Sequence, residues 1–124
     1  MIAWRLATSL YPPLTGEGAR KRGGRWNSPG VPMVYASEHL SLAVLEILVH
    51  LESDDLPNNL IAYRLDVPDG LVERLEEVPD DWLADPLRRQ SRRYGDTWAV
   101  EQRSVALAVP SAIVPSESNV LLNP

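Results

Sequence analysis

The chain contains no cysteine among its 124 residues. This absence excludes a disulfide framework, a thiolate metal site and a cysteine nucleophile together. The longest apolar runs are far shorter than a membrane span, and the N-terminus lacks the basic start and long apolar run of a signal peptide. We therefore expect a soluble, cytoplasmic protein that does not bind a membrane.

Several common motifs are also missing. No G-x-S-x-G elbow surrounds any serine, which disfavours a hydrolase triad, and no G-x-G-x-x-G or Walker loop is present, which disfavours Rossmann and P-loop nucleotide sites. The formal net charge is −5, whereas nucleic-acid-binding proteins usually present a basic face, so we expect no direct contact with nucleic acid. We expect no metal site, because the spacing of His39, Glu46 and His50 differs from the i, i+4 histidine pair of the known helical zinc motif.

What the chain does contain is the pattern of a single α+β domain. Apolar alternation and short apolar runs predict strands over 1–6, 32–36, 60–68 and, broken by proline, within 104–115 and 118–124. Helices are predicted over 38–52, with Ser37 as the N-cap, and over 86–102, with a weak point at Gly95. Residues 7–31 are turn-rich and predicted to be irregular. Without regular βαβ alternation, the prediction is a small mixed or antiparallel β core with flanking helices.

The stretch GGRWNSPG, residues 23–30, predicts a shaped loop because its glycines and its proline favour turn conformations. An arginine in such a turn is usually solvated, which is the simpler interpretation of Arg25. Alternatively, the basic run 19–25 could hold a phosphate-bearing small ligand. The second basic run, 88–93, is predicted to be a solvated helix face.

Three further side chains attract attention. Glu46 lies inside the apolar run LAVLEILV, where a carboxylate costs free energy unless it is paired, hydrogen-bonded or facing water. Tyr35 lies in the preceding strand, where a half-buried tyrosine with its hydroxyl at the rim is common. Ser111 follows a proline in VPSAIVP and could cap a turn. Each has an ordinary structural interpretation beside a functional one.

Four segments in order carry a resemblance: WRL, GGRWNSPGVPMVYAS, SLAVLEILVHL and VPSAIVPSESNVLLNP. They resemble the RES domain, the toxin half of a bacterial toxin–antitoxin system, over nearly the whole of 1–124. The family is named after an arginine, a glutamate and a serine, which correspond here to Arg25, Glu46 and Ser111. Three other serines near the motif remain alternatives: Ser28, Ser37 and Ser41. Family members usually continue past the NP pair, so we expect this chain, ending at Pro124, to lack a further segment.

The resemblance implies a fold related to ADP-ribosyltransferases and an enzyme that destroys NAD⁺. The catalytic residues it implies are Arg25, Tyr35, Glu46 and Ser111. The residues it implies for binding NAD⁺ are Gly24, Arg25, Trp26, Asn27, Tyr35 and Asn119. Arg25 and the loop N–H groups would bind the pyrophosphate, Glu46 would stabilise the cationic ribose, and Tyr35 would lie on the nicotinamide side. Ser111 and Asn119 would hydrogen-bond the nicotinamide or the ribose.

The resemblance leaves the reaction open. NAD⁺ is the substrate and no separate cofactor is implied, but phosphorolysis would use inorganic phosphate as a co-substrate, whereas hydrolysis would use water. Transfer of ADP-ribose to a macromolecule is an alternative, and a non-enzymatic scaffold that binds an antitoxin is another. The implied partner is an Xre-type helix-turn-helix antitoxin, and the toxin could form a homodimer within that complex.

Overall fold

The computed structural model describes residues 1–50, 57–78, 80, 82–84 and 86–124. Within these ranges the chain contains the strands β1 (Ile2–Thr8), β2 (Val34–Ser37), β3 (Leu60–Asp66), β4 (Val72–Arg74), β5 (Ala106–Pro110) and β6 (Ser118–Leu122). The α-helices are α1 (Glu17–Arg22), α2 (Leu40–Leu48) and α3 (Arg89–Val100), and a short 3₁₀ turn covers Asp69–Leu71. None of the helices in the described ranges is long and apolar enough to cross a membrane.

The strands form one sheet with the order β3-β1-β2-β6-β5-β4. Neighbouring strands pair antiparallel, except that β4 and β5 pair parallel. In the centre of the sheet, Ser37 of β2 lies opposite Asn119 of β6, and Tyr35 lies opposite Leu121. This mixed sheet with its helices confirms the predicted α+β class.

Several predicted boundaries were wrong. Residues 7–31 were predicted to be irregular, but they contain α1, in which Glu17 and Arg20 pair at i, i+3. Ser37 does not cap α2, because it is the last residue of β2 and His39 occupies the N-cap position. The predicted helix 38–52 is shorter, ending at Leu48 in α2, and its last two residues lie outside the described ranges. Strand β4 was not predicted, since its three residues are too few to show a period.

Both faces of the sheet are buried at its centre, because successive residues of a strand point to opposite sides. One face carries small aliphatic side chains: Ala3, Val34, Ala36, Val67, Ala106, Val120 and Leu122. The other face packs Trp26 and Trp98 against Met33, Ala99, Leu107, Val109 and Leu121. Trp26 belongs to the glycine-rich loop and Trp98 belongs to α3. The second cluster therefore joins that loop and that helix to one face of the sheet.

Gly95 allows α3 to lie directly against the backbone of the loop. A Cβ atom built at Gly95 would lie 1.8 Å from the carbonyl oxygen of Trp26 and 2.8 Å from its carbonyl carbon. No real side chain tolerates such distances. The glycine that weakens the helix pattern in the sequence is therefore required by the packing of α3 on the loop.

We expect Gly95→Ala to lower the free energy of unfolding by about 1–3 kcal/mol or more, because overpacking against backbone outweighs the ~1 kcal/mol by which alanine favours a helix. Urea denaturation provides the measurement. Gly70→Ala is the matched control, because a Cβ there meets nothing within 4 Å, and its stability should be unchanged or slightly raised. Equal stability of the two variants would contradict the packing explanation.

Candidate functional site

The glycine-rich loop is organised around the side chain of Asn27, which is fully buried. Its Nδ2 donates hydrogen bonds to the carbonyl oxygens of Ala19 and Val31, each at 2.9 Å. Its Oδ1 accepts a hydrogen bond from the hydroxyl of Tyr35 at 2.7 Å, and the same hydroxyl accepts one from the Trp26 N–H at 3.0 Å. Asn27 and Tyr35 therefore hold the loop closed from inside.

Gly24 lies where the loop passes closest to Tyr35. A Cβ atom at Gly24 would lie 2.6 Å from the Tyr35 hydroxyl and 2.9 Å from Asn27 Oδ1. Gly23 has a φ of +74°, a conformation that favours glycine. Gly24 thus allows the loop backbone to approach Tyr35 closely, whereas Gly23 allows a left-handed turn.

Helix α3 binds the outer side of the loop. Arg92 Nε donates a hydrogen bond to the Gly24 carbonyl at 2.8 Å. Asp96 accepts two hydrogen bonds from Ser28, one from its N–H at 2.8 Å and one from its hydroxyl at 2.6 Å. Together with the Gly95 contact, these bonds set the position of the loop relative to α3.

Arg25 extends from this loop and is half-buried. Its Nη1 donates a hydrogen bond to the Trp82 carbonyl at 2.9 Å, and its guanidinium carbon lies 5.7 Å from the centre of the Trp82 ring. Burial lowers the pKa of Arg25, the nearby positive charge of Arg88 lowers it further, and the negative charge of Glu46 opposes both effects. Arg25 thus lies within the electrostatic influence of both a second arginine and the carboxylate of α2.

Glu46 is held by two neutral donors, one from β6 and one from the residue that follows β5. Its Oε1 accepts a hydrogen bond from the Ser111 hydroxyl at 2.9 Å and one from Asn119 Nδ2 at 2.7 Å. Asn119 in turn accepts a bond from the Ser37 hydroxyl at 2.8 Å. No hydrogen bond to Oε2 occurs within the described part of the chain, so one oxygen of the carboxylate is oriented while the other is available.

Ser111 itself is fully buried, and its hydroxyl also accepts hydrogen bonds from the N–H groups of Ile113 and Val114 at 3.0 and 3.1 Å. Of the serines considered from the sequence, Ser111 contacts Glu46 directly and Ser37 reaches it through Asn119. Ser28 instead binds Asp96, and Ser41 is exposed. The geometry thus favours Ser111 as the serine that accompanies the glutamate.

A cavity of about 540 Å³ lies between the loop, the centre of the sheet and α2. It brings together six of the predicted site residues: Gly24, Arg25, Trp26, Tyr35, Glu46 and Asn119. Asn27 and Ser111 do not line it, and each supports a residue that does. The arginines that line it are Arg5, Arg22, Arg25 and Arg88, whereas Glu46 is the one carboxylate residue among the described lining residues. An acidic chain therefore surrounds this cavity with positive charge.

Three of these arginines, Arg5, Arg22 and Arg88, were not predicted as site residues, although Arg22 lies in the basic run 19–25. Arg5 is half-buried, and its Nε donates to the Pro13 carbonyl at 3.0 Å while its Nη1 donates to the Tyr35 carbonyl at 2.9 Å. Burial lowers its pKa. The motif WRL contains Arg5 and was the available signal. Arg88 belongs to the run 88–93, whose prediction as a solvated helix face was wrong for Arg88 and Arg92, although Arg89 and Arg93 are exposed.

Tyr35 has its hydroxyl committed to the loop. Burial raises the pKa of Tyr35 well above its usual range, and the hydrogen bond from the Trp26 N–H only partly opposes that effect. The hydroxyl therefore stays protonated at neutral pH and acts as a structural hydrogen-bond donor to Asn27. Tyr35 is also one of the residues that line the cavity.

We expect Tyr35→Phe to lower the free energy of unfolding by about 1–3 kcal/mol, because buried Asn27 Oδ1 and the Trp26 N–H each lose a partner. Urea denaturation measures this loss. Tyr11→Phe provides the control, since Tyr11 is 74% exposed and its substitution should change stability by less than about 0.5 kcal/mol. If Tyr35→Phe unfolds at the same urea concentration as the control, the hydroxyl does not organise the loop.

Comparison with known proteins agrees with the resemblance found in the sequence. Residues 2–124 match the family described as the RES domain. A protein of Sphingobium sp. (strain YBL2) named Prs ADP-ribosylating toxin is 43% identical over 130 residues, covering 98% of this chain and 81% of that protein. A protein of Photorhabdus laumondii named Toxin Res is 41% identical over 128 residues, covering 100% of this chain and 82% of that protein.

A solved structure shares the fold. A chain of the M. tuberculosis MbcT–MbcA toxin–antitoxin complex superposes with a TM-score of 0.70 at 17% identity, covering 98% of this chain and 72% of that chain. At this identity the similarity concerns the architecture alone. The family match over almost the whole chain and the two relatives above 40% identity show more: the chain is a member of the RES-domain family.

Proposed function

We propose that the protein is a toxin that depletes NAD⁺ by cleaving the bond between nicotinamide and ribose. The observation that carries this proposal is the presence, in one cavity, of several arginines and of the oriented carboxylate of Glu46. A dinucleotide needs both features, because it brings a doubly charged pyrophosphate and a ribose that becomes cationic during cleavage.

The pyrophosphate would lie against Arg25. A guanidinium forms bidentate hydrogen bonds with phosphate oxygens, and its planar shape is already oriented by the bond to the Trp82 carbonyl. The rigid loop supports this interaction because Asn27, Tyr35 and Arg92 hold its backbone before any ligand arrives. Binding therefore requires little ordering of the loop.

The ribose would lie against Glu46. As the C1′–N bond breaks, its electron pair leaves with nicotinamide, which departs as a neutral molecule, and positive charge develops on the ribose. The negative charge of Glu46 stabilises that charge. Ser111 and Asn119 donate to Oε1, so Oε2 is free to contact a ribose hydroxyl or to orient the nucleophile. A bond then forms between C1′ and an oxygen of water, which releases one proton to the solvent, or an anionic oxygen of phosphate, which has no proton to lose.

The identity of the nucleophile separates three forms of this proposal. Water yields ADP-ribose, whereas inorganic phosphate yields ADP-ribose 1″-phosphate. Transfer to a macromolecule is the second candidate, favoured by the name of the Sphingobium relative, an ADP-ribosylating toxin. In each form nicotinamide is released, so the role of Glu46 is the same. A scaffold without enzymatic activity would release none.

We expect Glu46→Gln to reduce NAD⁺ loss by about two orders of magnitude, which corresponds to ~3 kcal/mol of lost electrostatic stabilisation. The amide oxygen still accepts the bonds from Ser111 and Asn119, so the fold should persist. Mass analysis of NAD⁺ incubations with and without phosphate, and with cell extract, measures the loss and identifies the product. Glu101→Gln is the control, since Glu101 is exposed outside the cavity. Full activity of Glu46→Gln would refute the assignment, and loss of folding would support a structural role.

We further propose that the protein acts in the cytoplasm and is neutralised by an Xre-type helix-turn-helix antitoxin that covers the cavity. The structural relative from M. tuberculosis was solved in a toxin–antitoxin complex. Helix α2, which bears Glu46, also exposes a set of apolar side chains that a partner could cover: Leu40, Val44, Leu45 and Leu48. DNA binding would belong to the antitoxin, in keeping with the acidic charge of this chain.

If the antitoxin and NAD⁺ occupy one cavity, saturating NAD⁺ should weaken antitoxin binding, by thermodynamic reciprocity. We expect this in the Glu46→Gln variant, which would bind NAD⁺ without consuming it. Surface plasmon resonance with and without NAD⁺ measures the effect. Adenosine, which lacks both the pyrophosphate and the nicotinamide, serves as the low-affinity control. An antitoxin affinity that NAD⁺ leaves unchanged in this variant, together with full NAD⁺ turnover by the parent protein in its antitoxin complex, would contradict occlusion.

A further inference from the structure

Arg88 has an unusual backbone for an arginine. It immediately precedes α3 and has φ 54° and ψ 35°, in the left-handed region. Within the described ranges, Gln102 is the other non-glycine residue with a positive φ. Such a conformation costs free energy in a residue with a Cβ, and strained positions of this kind concentrate at functional sites. The position of Arg88 at the start of α3 does not by itself explain this conformation.

The side chain of Arg88 lines the cavity, as does that of Arg25. In the part of the chain that the structure describes, no carboxylate pairs with Arg88 and no carbonyl accepts a bond from its guanidinium. Its charge reaches Arg25, whose pKa it lowers, and the phenol of Tyr35. Two like charges thus line one cavity, and among its described lining residues the one carboxylate is that of Glu46, which binds Ser111 and Asn119.

The position of Arg88 relative to Arg25 is determined by α3. One turn into the helix, Arg92 donates to the Gly24 carbonyl, and one turn further Asp96 holds Ser28. These contacts join the helix to the loop that carries Arg25. The two guanidiniums are therefore carried by one rigid unit, which is the requirement for a two-armed anion site.

We propose that Arg88 binds the same diphosphate group as Arg25, as a second guanidinium that selects ligands with a diphosphate over uncharged nucleosides. The identification of that group as the pyrophosphate of NAD⁺ rests on the proposed function, whereas the anion site itself does not. A diphosphate bound between the two guanidiniums neutralises their positive charges. Binding therefore removes the repulsion between them that exists in the unliganded protein. Arg88 is thus a specificity-determining residue rather than a group that reacts.

Calorimetric binding of ADP tests this inference without catalysis. Arg88→Gly removes the guanidinium and suits the left-handed backbone, so the variant should fold. We expect it to bind ADP about ten- to a hundredfold more weakly than the parent, the range for a lost charge-assisted hydrogen bond. Arg88→Lys should recover only part of this loss. Arg93→Ala is the matched control, because Arg93 is exposed on the same helix and does not line this cavity.

Kinetics with NAD⁺ add a second measurement. Arg88→Gly should raise KM with little change in kcat, since it removes an interaction common to ground and transition states. A merely structural role would lower kcat as well and would weaken adenosine binding as much as ADP binding. That result would overturn the inference. It would also be overturned if Arg88→Gly and Arg93→Ala bound ADP with equal affinity, or if the parent protein did not bind ADP. If ADP binding depends on Arg88 but the parent releases no nicotinamide, the anion site stands and the proposed function fails.

Discussion

The close contact between Gly95 and the carbonyl of Trp26 is the constraint on which the rest of the site depends. It lets α3 lie against the loop backbone, where a Cβ atom would be only 1.8 Å from the carbonyl oxygen. With the helix at that depth, Arg92 reaches the Gly24 carbonyl and Asp96 reaches both polar groups of Ser28. These tertiary contacts add to the left-handed turn at Gly23 and to the loop's own hydrogen bonds, and together they give Arg25 a defined direction.

Charge is distributed unevenly over this molecule. The whole chain carries a formal charge of −5, yet arginines from β1, α1, the glycine-rich loop and the start of α3 line one cavity. Such a concentration is unfavourable without an anion, because like charges repel and half-buried guanidiniums lose solvation. The one carboxylate among the described residues that line the cavity, on Glu46, is held by neutral donors instead of by an arginine, so its negative charge remains available. An anionic ligand with a cationic centre fits both features.

Much of the architecture could be predicted from the sequence, because alternation and helical periodicity reflect burial directly. The α+β class and the family resemblance are confirmed, and strands near 2–6, 34–36 and 60–66 lie where the pattern placed them. Short elements escaped prediction, since α1 and β4 have too few residues to show a period. The N-cap assigned to Ser37 failed because the strand continues through it and its hydroxyl binds Asn119.

The site was harder to predict, because its geometry depends on residues distant in sequence. Within the run 88–93, helical spacing separates two pairs: Arg89 and Arg93 are exposed, while Arg88 and Arg92 are half-buried on the side toward the loop. Composition cannot distinguish these pairs. The roles of Asn27 and Tyr35 inside the loop likewise require the folded chain, since their bond joins the loop to β2.

A crystal structure of the Glu46→Gln variant with NAD⁺ is the measurement that tests the central claim most directly. The account predicts the nicotinamide ribose beside the side chain at position 46, with its pyrophosphate against the Arg25 guanidinium and the loop unchanged. NAD⁺ bound at another surface, or a cavity that stays free of NAD⁺ at saturating concentration, would contradict the account.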